Sequence, residues 1–309
     1  MLTGEFDNVL QIQSPQVFYK DNQVRIFYTI LHMIYQTVVY TPRSFHKIRG
    51  LIKEFQPDIL ITDAEPISHF TVRFSRIKRI SIDNPSALIY RKYKKRLWEY
   101  PAWLFLFFAL KISLFGADKY IIYDFFDEQS NNPRVLFVKP LIQPGIQLQR
   151  PSVGSHIFVY QTSSSYTTLF NILWKLNETF IIYGFNKEET DRNLVFKRFN
   201  ENEFYHDIST SKAVIVNGGF TVISEALYLK KPIFSLPIRH QFEQVFNARC
   251  IENMGAGVSH VRFCEDDLKN FLLRLSVFSE NLQNYNAGNQ EDVLSRIEQT
   301  IQAVLKQKK

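Results

Sequence analysis

A strand pattern that runs directly into a glycine pair and then into a helix is the feature that most constrains how this chain can fold. Residues 213–216 are apolar and mostly β-branched, which is typical of a strand buried in a parallel sheet. Gly218 and Gly219 follow, and apolar residues then recur at helical spacing. Glycines at such a turn let the backbone approach a ligand closely, and the N-terminus of the helix favours an anion. The glycines alone are equally compatible with a plain tight turn, because short glycine motifs match often by chance.

Polar residues after the next strand indicate a ligand crevice. Residues 232–237 form a short apolar run bounded by prolines, and Glu243, Gln244 and Asn247 follow it. Ligands of α/β proteins bind outside the carboxyl ends of neighbouring parallel strands. Glu225 lies in the opening turns of the preceding helix, where its carboxylate could accept two vicinal hydroxyls. A diphosphate flanked by a ribose and a sugar fits this layout.

The block resembles the donor-binding signature of inverting GT-B glycosyltransferases, which have two Rossmann-like α/β domains with parallel sheets facing across a cleft. It is similar to the signature of the N-acetylglucosaminyltransferase that acts on the peptidoglycan lipid precursor, and to that of the UDP-glycosyltransferases. The resemblance implies that residues 217–221 hold the diphosphate, Glu225 the ribose, and Glu243 with Gln244 the transferred sugar. Many UDP-glycosyltransferases carry histidine where this chain has Asn217, so we expect the Asn217 amide to donate to the phosphate instead.

A second loop of the same half resembles the Gly/Ser-rich phosphate loop of these enzymes. Residues 161–165 follow a predicted strand at 156–160 but contain hydroxyl residues where the relatives have glycines. A Ser-rich loop can also simply cap the next helix. The donor-binding residues that the resemblance implies are Thr162, Ser163, Asn217, Gly218, Gly219, Phe220, Thr221, Glu225, Glu243, Gln244 and Asn247. It implies the nucleotide sugar as a substrate, with no metal and no resident cofactor.

Two strand ends in the first half carry acidic residues. Asp63 and Glu65 follow a strand at 58–62, and Asp83 and Asn84 follow another at 77–82. An inverting transfer needs a base for the acceptor hydroxyl, so Asp63 and Glu65 are candidate catalytic residues. Asp83 and Asn84 correspond to an acceptor-binding segment of the peptidoglycan relative. The alternative is structural, because an acidic residue before a helix is a common N-cap.

The basic residues are concentrated in the first half. Residues 1–150 contain 20 Lys/Arg and 13 Asp/Glu, so they carry the whole net charge of +7 (20 − 13). No nucleic-acid motif accompanies this excess. A cluster of cations and tryptophans before an apolar run at 103–110 predicts docking on an anionic membrane surface. The alternative is a buried helix after a solvated basic loop. The predicted membrane patch consists of Arg91, Lys92, Lys94, Lys95, Arg96, Trp98 and Trp103.

The chain is long enough for two cores. We predict an acceptor-side domain at 1–140, a Pro-rich linker at 141–154, a donor domain at 155–290 and a C-terminal helix at 291–309. Cys250 and Cys264 are the only cysteines, which suggests a reduced compartment. The first ten residues contain acidic residues and no basic run, so no signal peptide is expected. These features predict a cytoplasmic protein, peripheral on the inner membrane face.

An active transferase has two alternatives, and the start of the chain raises the first of them. Residues 1–4 resemble the end of a second strand, so a first βα unit of about 25–40 residues is expected before them. Either the sequence is truncated or a partner chain supplies that unit, and in the second case this chain would be a non-catalytic donor-binding or membrane-adaptor subunit. A nucleotide-sugar epimerase of the same fold is the other alternative. The leading prediction is a hexosyl-type glycosyltransferase that uses a nucleotide sugar, with a glycan or lipid-linked acceptor.

Overall fold

The computed structural model describes residues 9, 12, 18–91, 100–126, 128–162 and 166–306, and within them the chain forms two α/β domains. The first contains β1 (Tyr19–Lys20), β2 (Gln23–Val24), α1 (Ile26–Phe55), β3 (Ile59–Thr62), α2 (Pro66–Thr71), β4 (Lys78–Asp83), α3 (Ala87–Tyr90), α4 (Tyr100–Ser113), β5 (Lys119–Tyr123), β6 (Val135–Val138) and α5 (Pro144–Gln147). The second contains β7 (His156–Tyr160), α6 (Phe170–Leu173), β8 (Thr179–Tyr183), β9 (Glu189–Asp191), β10 (Leu194–Phe196), α7 (Glu201–Thr210), β11 (Ala213–Val216), α8 (Phe220–Tyr228), β12 (Ile233–Ser235), α9 (Phe242–Asn253), β13 (Gly257–Ser259), α10 (Glu265–Leu273), α11 (Leu275–Gln283) and α12 (Gln290–Lys306).

The first sheet has four parallel strands in the order β3-β4-β5-β6. Successive residues of β5 point to opposite faces, as strand geometry requires. Tyr120 and Ile122 face a cluster that includes Leu114, the residue that follows α4. Ile121 faces the other way, onto a cluster that includes Ile297 of α12. The C-terminal helix therefore crosses back from the second domain to cover one face of the first.

The second sheet has seven strands in the order β13-β12-β11-β7-β8-β10-β9, and β9 alone among them pairs antiparallel to its neighbour. All four residues of β11 are buried, which confirms the sequence prediction of a strand covered on both faces. Local caps start several helices of this half. Asn200 accepts a hydrogen bond from the Glu203 N–H at 3.1 Å to begin α7, and Asn289 caps the first turn of α12.

A small hairpin of the first domain contacts the second. Strands β1 and β2 pair antiparallel, and the Val24 N–H donates to the carbonyl of Arg239 at 3.0 Å. Among the described residues, no helix is both long enough and apolar enough to span a bilayer. The apolar helix α4, at 14 residues, is shorter than the ~20 residues that a span needs.

The return of α12 gives a direct test of the fold. Ile297 is 5% exposed and packs in the cluster with Ile80 and Ile121, so we expect Ile297→Ala to lower the free energy of unfolding by about 2–4 kcal/mol. Leu294→Ala in the same helix is the control, because Leu294 is 47% exposed. Urea denaturation of both variants would measure the difference. Equal effects would show that α12 does not seal the first sheet.

Candidate functional site

The N-terminus of α8 lies at the carboxyl edge of the second sheet, with open space in front of it. β11 ends at Val216, and Gly219 precedes the first turn of α8. A Cβ on Gly218 would lie 2.2 Å from the backbone oxygen of Gln244, so only glycine allows α9 to approach this closely. A Cβ on Gly219 would meet nothing within 4 Å. The first N–H groups of a helix have no acceptor within the helix, so they are available to a ligand here.

Asn217 is fully engaged by neighbouring segments. Its Oδ1 accepts from the Thr162 N–H at 2.8 Å and from the Thr162 hydroxyl at 3.1 Å. Its Nδ2 lies within hydrogen-bond distance of Gln161 Oε1 at 2.9 Å, the Leu236 carbonyl at 2.9 Å and Asn22 Oδ1 at 3.2 Å. Because an amide has only two N–H bonds, none is left for a phosphate. The expectation that the Asn217 side chain donates to the diphosphate is therefore not supported by this geometry, and Asn217 acts as a buried junction of strand ends.

The side chains of Gln244 and Asn247 form hydrogen bonds to the backbone of the glycine turn. Gln244 Oε1 accepts from the N–H groups of Gly218 at 3.3 Å and Ile238 at 2.9 Å. Asn247 Nδ2 donates to the Gly218 carbonyl at 3.1 Å, and both side chains are buried. The resemblance implied that Gln244 contacts the transferred sugar and that Asn247 belongs to the donor site, whereas both side chains lie on α9 and hold the glycine turn in place. Of the remaining predicted donor residues, Thr221 is exposed at the start of α8, and Ser163 lies outside the described residues.

Two carboxylates near this turn are free of protein partners in the described part of the chain. Glu225 is 4% exposed, and burial raises its pKa to about 7. Glu243, in the first turn of α9, also has its pKa raised to about 7, first by burial and then by the charges of Asp83 and Asp63. Those two aspartates belong to the first domain, so Glu243 faces it across the cleft. A buried carboxylate without a partner is costly, so Glu225, and with it the half-buried Glu243, are candidates for contact with a ligand.

Of the two candidate catalytic residues in the first domain, Glu65 caps a helix and Asp63 does not. Both carboxylate oxygens of Glu65 accept from the N–H groups of Ile67 at 2.8 Å and Ser68 at 2.7 Å, and so cap α2. The structural alternative for Glu65 is thus the one observed. Asp63 has no hydrogen-bond or ion-pair partner among the described residues. Its pKa is raised by burial and then by the charge of Asp83. Ala64, next to it, has a φ of +48°, a strained value of the kind that collects at functional sites.

Asp83 and Asn84 are likewise held by their own loop. Asp83 accepts from the Ser81 hydroxyl at 2.5 Å and from the Ser86 N–H at 2.6 Å, and it is 1% exposed. Asn84 Nδ2 donates to the Tyr123 carbonyl at 3.0 Å. Asp83 therefore acts on the cleft through its charge, by raising the pKa values of Asp63 and Glu243. Within the described ranges, no group of three or more His, Cys, Asp or Glu side chains could hold a metal ion.

Two contacts between the domains, through Phe220 and Asn22, were not predicted from the sequence. The Phe220 ring lies 4.7 Å from that of Phe125 and stacks at 6.3 Å on that of Tyr123, both from the first domain. Asn22, at the turn of the β1–β2 hairpin, is 3% exposed, and its side chain contacts Asn217 and the carbonyls of Leu236 and Pro237. The Asp21-Asn22 pair between β1 and β2 is typical of a turn. Nothing in the sequence, however, indicates that this turn reaches the donor half.

The predicted membrane patch is only partly described. Arg91 is 11% exposed and donates to Asp124 and Glu128, each at 3.0 Å, so it is an internal ion-pair residue rather than a surface cation. Trp103 donates to the Leu88 carbonyl at 3.3 Å. α4 itself exposes an apolar stripe at i, i+4 spacing, formed by Leu104, Phe108 and Ile112. The remaining patch residues, which lie outside the described part, are Lys92, Lys94, Lys95, Arg96 and Trp98.

Comparisons with known proteins give a family and a fold. Residues 1–276 match the family model described as glycosyl transferase family 1, whereas no curated protein matches the sequence. Among solved structures, the chain is similar to a UDP-glucosyltransferase from Polygonum tinctorium, with a TM-score of 0.62 and 13% identity over 87% of this chain and 81% of that one.

Two further structures have the same fold. MurG from Acinetobacter baumannii has a TM-score of 0.57 and 13% identity over 98% of this chain and 87% of its own. A Streptomyces glycosyltransferase complexed with thymidine diphosphate has a TM-score of 0.56 and 14% identity over 84% and 74%. At these identities the likeness establishes the shared fold alone.

The pKa of Glu225 predicts a pH-dependent stability. Its value of about 7 lies above the ordinary 4.5, so the folded state binds the proton more tightly than the unfolded state does. The wild-type protein should therefore lose stability as the pH rises from about 4.5 to about 7. Glu225→Gln cannot ionise, and we expect it to exceed the wild type in stability at pH 8 by on the order of 1–3 kcal/mol, with no gain at pH 4.

Denaturant titrations at the two pH values would measure this difference. The exposed Glu298→Gln, in α12, is the matched control and should leave the pH profile unchanged. A constant difference between Glu225→Gln and the wild type at both pH values would contradict the ionisation argument.

Proposed function

The chain belongs to glycosyl transferase family 1, and on that premise we propose that it transfers a sugar, with inversion, from a nucleoside diphosphate donor to an acceptor hydroxyl. The protein is thus a transferase with the GT-B fold. One observation carries the finer proposal. The open N-terminus of α8 lies beside the unpartnered carboxylate of Glu225, and the free carboxylate of Asp63 lies across the cleft.

The donor site is built mainly from backbone. In our proposal the N–H groups at Gly219, Phe220 and Thr221 bind the diphosphate, and the dipole of α8 stabilises its charge. Glu225, five residues into the helix and behind that turn, accepts hydrogen bonds from the ribose hydroxyls. Glu243 approaches from α9 and contacts the transferred sugar near the first domain. UDP and thymidine diphosphate are the donor nucleotides to test first, since structural neighbours carry them in their names.

Asp63 is the proposed general base. Burial and the charge of Asp83 raise its pKa, which strengthens the carboxylate as a proton acceptor. It removes the proton from the acceptor hydroxyl as that oxygen attacks the anomeric carbon. The bond to the diphosphate breaks on the opposite face, and the helix N-terminus receives the developing negative charge. Phe220, at the proposed diphosphate turn, packs on Tyr123 and Phe125, so it connects the donor site to the acceptor-side domain.

Paired variants separate catalysis from donor binding. We expect Asp63→Asn to lower kcat by about 10²–10⁴-fold while a thermal shift with UDP or thymidine diphosphate is retained. Glu225→Ala should lose that shift. Glu65→Gln is the control for Asp63, because it should cost about 1 kcal/mol of stability through the helix cap but keep kcat. Full activity of Asp63→Asn would remove Asp63 from the mechanism, and an unchanged shift in Glu225→Ala would remove the ribose assignment.

We also propose that α4 rests on an anionic membrane surface, which would bring a lipid-linked acceptor to the cleft. Leu104, Phe108 and Ile112 are 42%, 57% and 62% exposed, and exposed apolar residues in such a row are a docking surface. Lys111 lies on the same helix, and in the sequence four more cations lie in residues 92–96, just before it. Cations near an anionic bilayer are worth about 1 kcal/mol each.

Vesicle co-sedimentation tests this contact. Phe108→Ser should reduce pelleting with vesicles that contain phosphatidylglycerol, because it removes the centre of the apolar stripe. Phe199→Ser is a matched control in the second domain, where the ring is 59% exposed. Equal pelleting of the two variants and the wild type would rule out α4 as the membrane contact.

A further inference from the structure

Two adjoining cavities open at the amino-terminal edge of the first sheet, on the side opposite the cleft. The larger is about 600 Å³ and lies between this edge and α12. The smaller is about 210 Å³ and lies beneath the C-terminal end of α4. They share Gly116 and Arg134, so they form one two-lobed site around the edge of the sheet.

The charge of this site is strongly positive. Arg134 lines both lobes, Lys111 lines the smaller one, and Lys119 and Arg296 line the larger one. Backbone contacts hold two of these cations. Lys119 Nζ donates to the Pro133 carbonyl at 2.7 Å, and Arg296 donates to the Phe137 carbonyl at 3.2 Å.

The negative charge at this site is already engaged. Asp118, the one carboxylate lining the two lobes in the described residues, accepts from the Arg79 N–H at 2.8 Å and pairs with Lys78 at 3.8 Å. In the same part of the chain, Lys111 and Arg134 have no carboxylate partner. Lys111 lies instead 4.9 Å from the centre of the Tyr90 ring. The site therefore has uncompensated positive charge at its mouth.

The smaller lobe adds an apolar wall. Its lining includes Ile89, Leu110, Leu114 and Phe115. Leu114 is 2% exposed, whereas Phe115 is 59% exposed and stands at the rim, one turn beyond the exposed stripe of α4. A volume near 200 Å³ accommodates a short length of alkyl chain. A ligand that uses both lobes must therefore combine an anionic head with an apolar tail.

We propose that this two-lobed cavity binds a phosphate ester attached to an apolar chain. The phosphate lies between Arg134 and Lys111, in charge-assisted hydrogen bonds, and the chain enters the smaller lobe past Phe115. The site differs from the transfer site. It lies where β5 begins, about 16 Å along a five-residue strand from the carboxyl edge that carries the cleft. The inference does not depend on glycosyl transfer, and an inactive protein should bind the same ligand.

Calorimetric titration with monomeric dihexanoyl phosphatidylglycerol tests the proposal on the whole chain. We expect saturable binding that is at least about tenfold tighter than that of inorganic phosphate or of dihexanoyl phosphatidylcholine. Arg134→Gln and Lys111→Gln should each weaken it by roughly tenfold, as expected for losing a charge-assisted contact. Arg198→Gln, an equal charge change at an exposed site of the second domain, should not. Absence of binding, equal affinity for phosphatidylcholine or inorganic phosphate, or insensitivity to Arg134→Gln would overturn the proposal.

The same variants identify the source of the ligand and guard against misfolding. If Arg134→Gln also loses binding to phosphatidylglycerol vesicles, the ligand is a bilayer lipid. If vesicle binding persists while the short-chain ester is lost, the ligand is a soluble phosphate ester. Each variant should keep its thermal shift with UDP or thymidine diphosphate, so failure of this site and failure of the donor site give different results.

Discussion

The hydrogen-bond junction at Asn217 is the interaction on which the donor half of this protein depends. One buried amide joins the ends of β7 and β11, the segment after β12, and the hairpin turn at Asn22. Asn22, Gln161 and the Leu236 carbonyl are buried, and each would cost about 1–3 kcal/mol if left unpaired. By using all of its own hydrogen-bonding capacity in this way, Asn217 fixes where the next backbone groups point. The backbone N–H groups that begin α8, which form the proposed donor site, are thereby positioned by the sheet.

The packing of α9 depends on the same turn. Gly218 lets the backbone of Gln244 come within contact distance, and the Gln244 and Asn247 side chains then take the polar groups of the turn that face inward. Gln244 and Asn247, which the resemblance places among the donor contacts, therefore hold the backbone of the glycine turn. Glu225 and Glu243 take no part in this hydrogen-bond network. Burial raises the pKa of each, because no residue in the described part of the protein compensates the charge.

Much of the fold followed from sequence pattern. The β-branched run of β11, the glycine turn and the helix of α8 occur as predicted, because these patterns report local geometry and burial. The roles of the acidic residues did not follow. Asp63 and Glu65 are two positions apart and chemically alike. The N–H groups of α2 engage Glu65 and leave Asp63 free, and Ala64 between them has a φ of +48°. Similarly, the basic run predicted that Arg91 faces lipid, whereas Arg91 is largely buried in an ion pair with Asp124.

The sequence by itself determined the α/β class, the position of the glycine turn and the family signature, since each depends on residues close together in the chain. Tertiary structure alone decided which polar side chains are structural and which face the cleft, because that choice depends on partners far apart in sequence. Asn22 meets Asn217 across 195 residues, and α12 returns to seal the first sheet. It also decided that Lys111, Arg134 and Arg296 line one two-lobed site, because only the folded sheet edge, α4 and α12 bring these cations together.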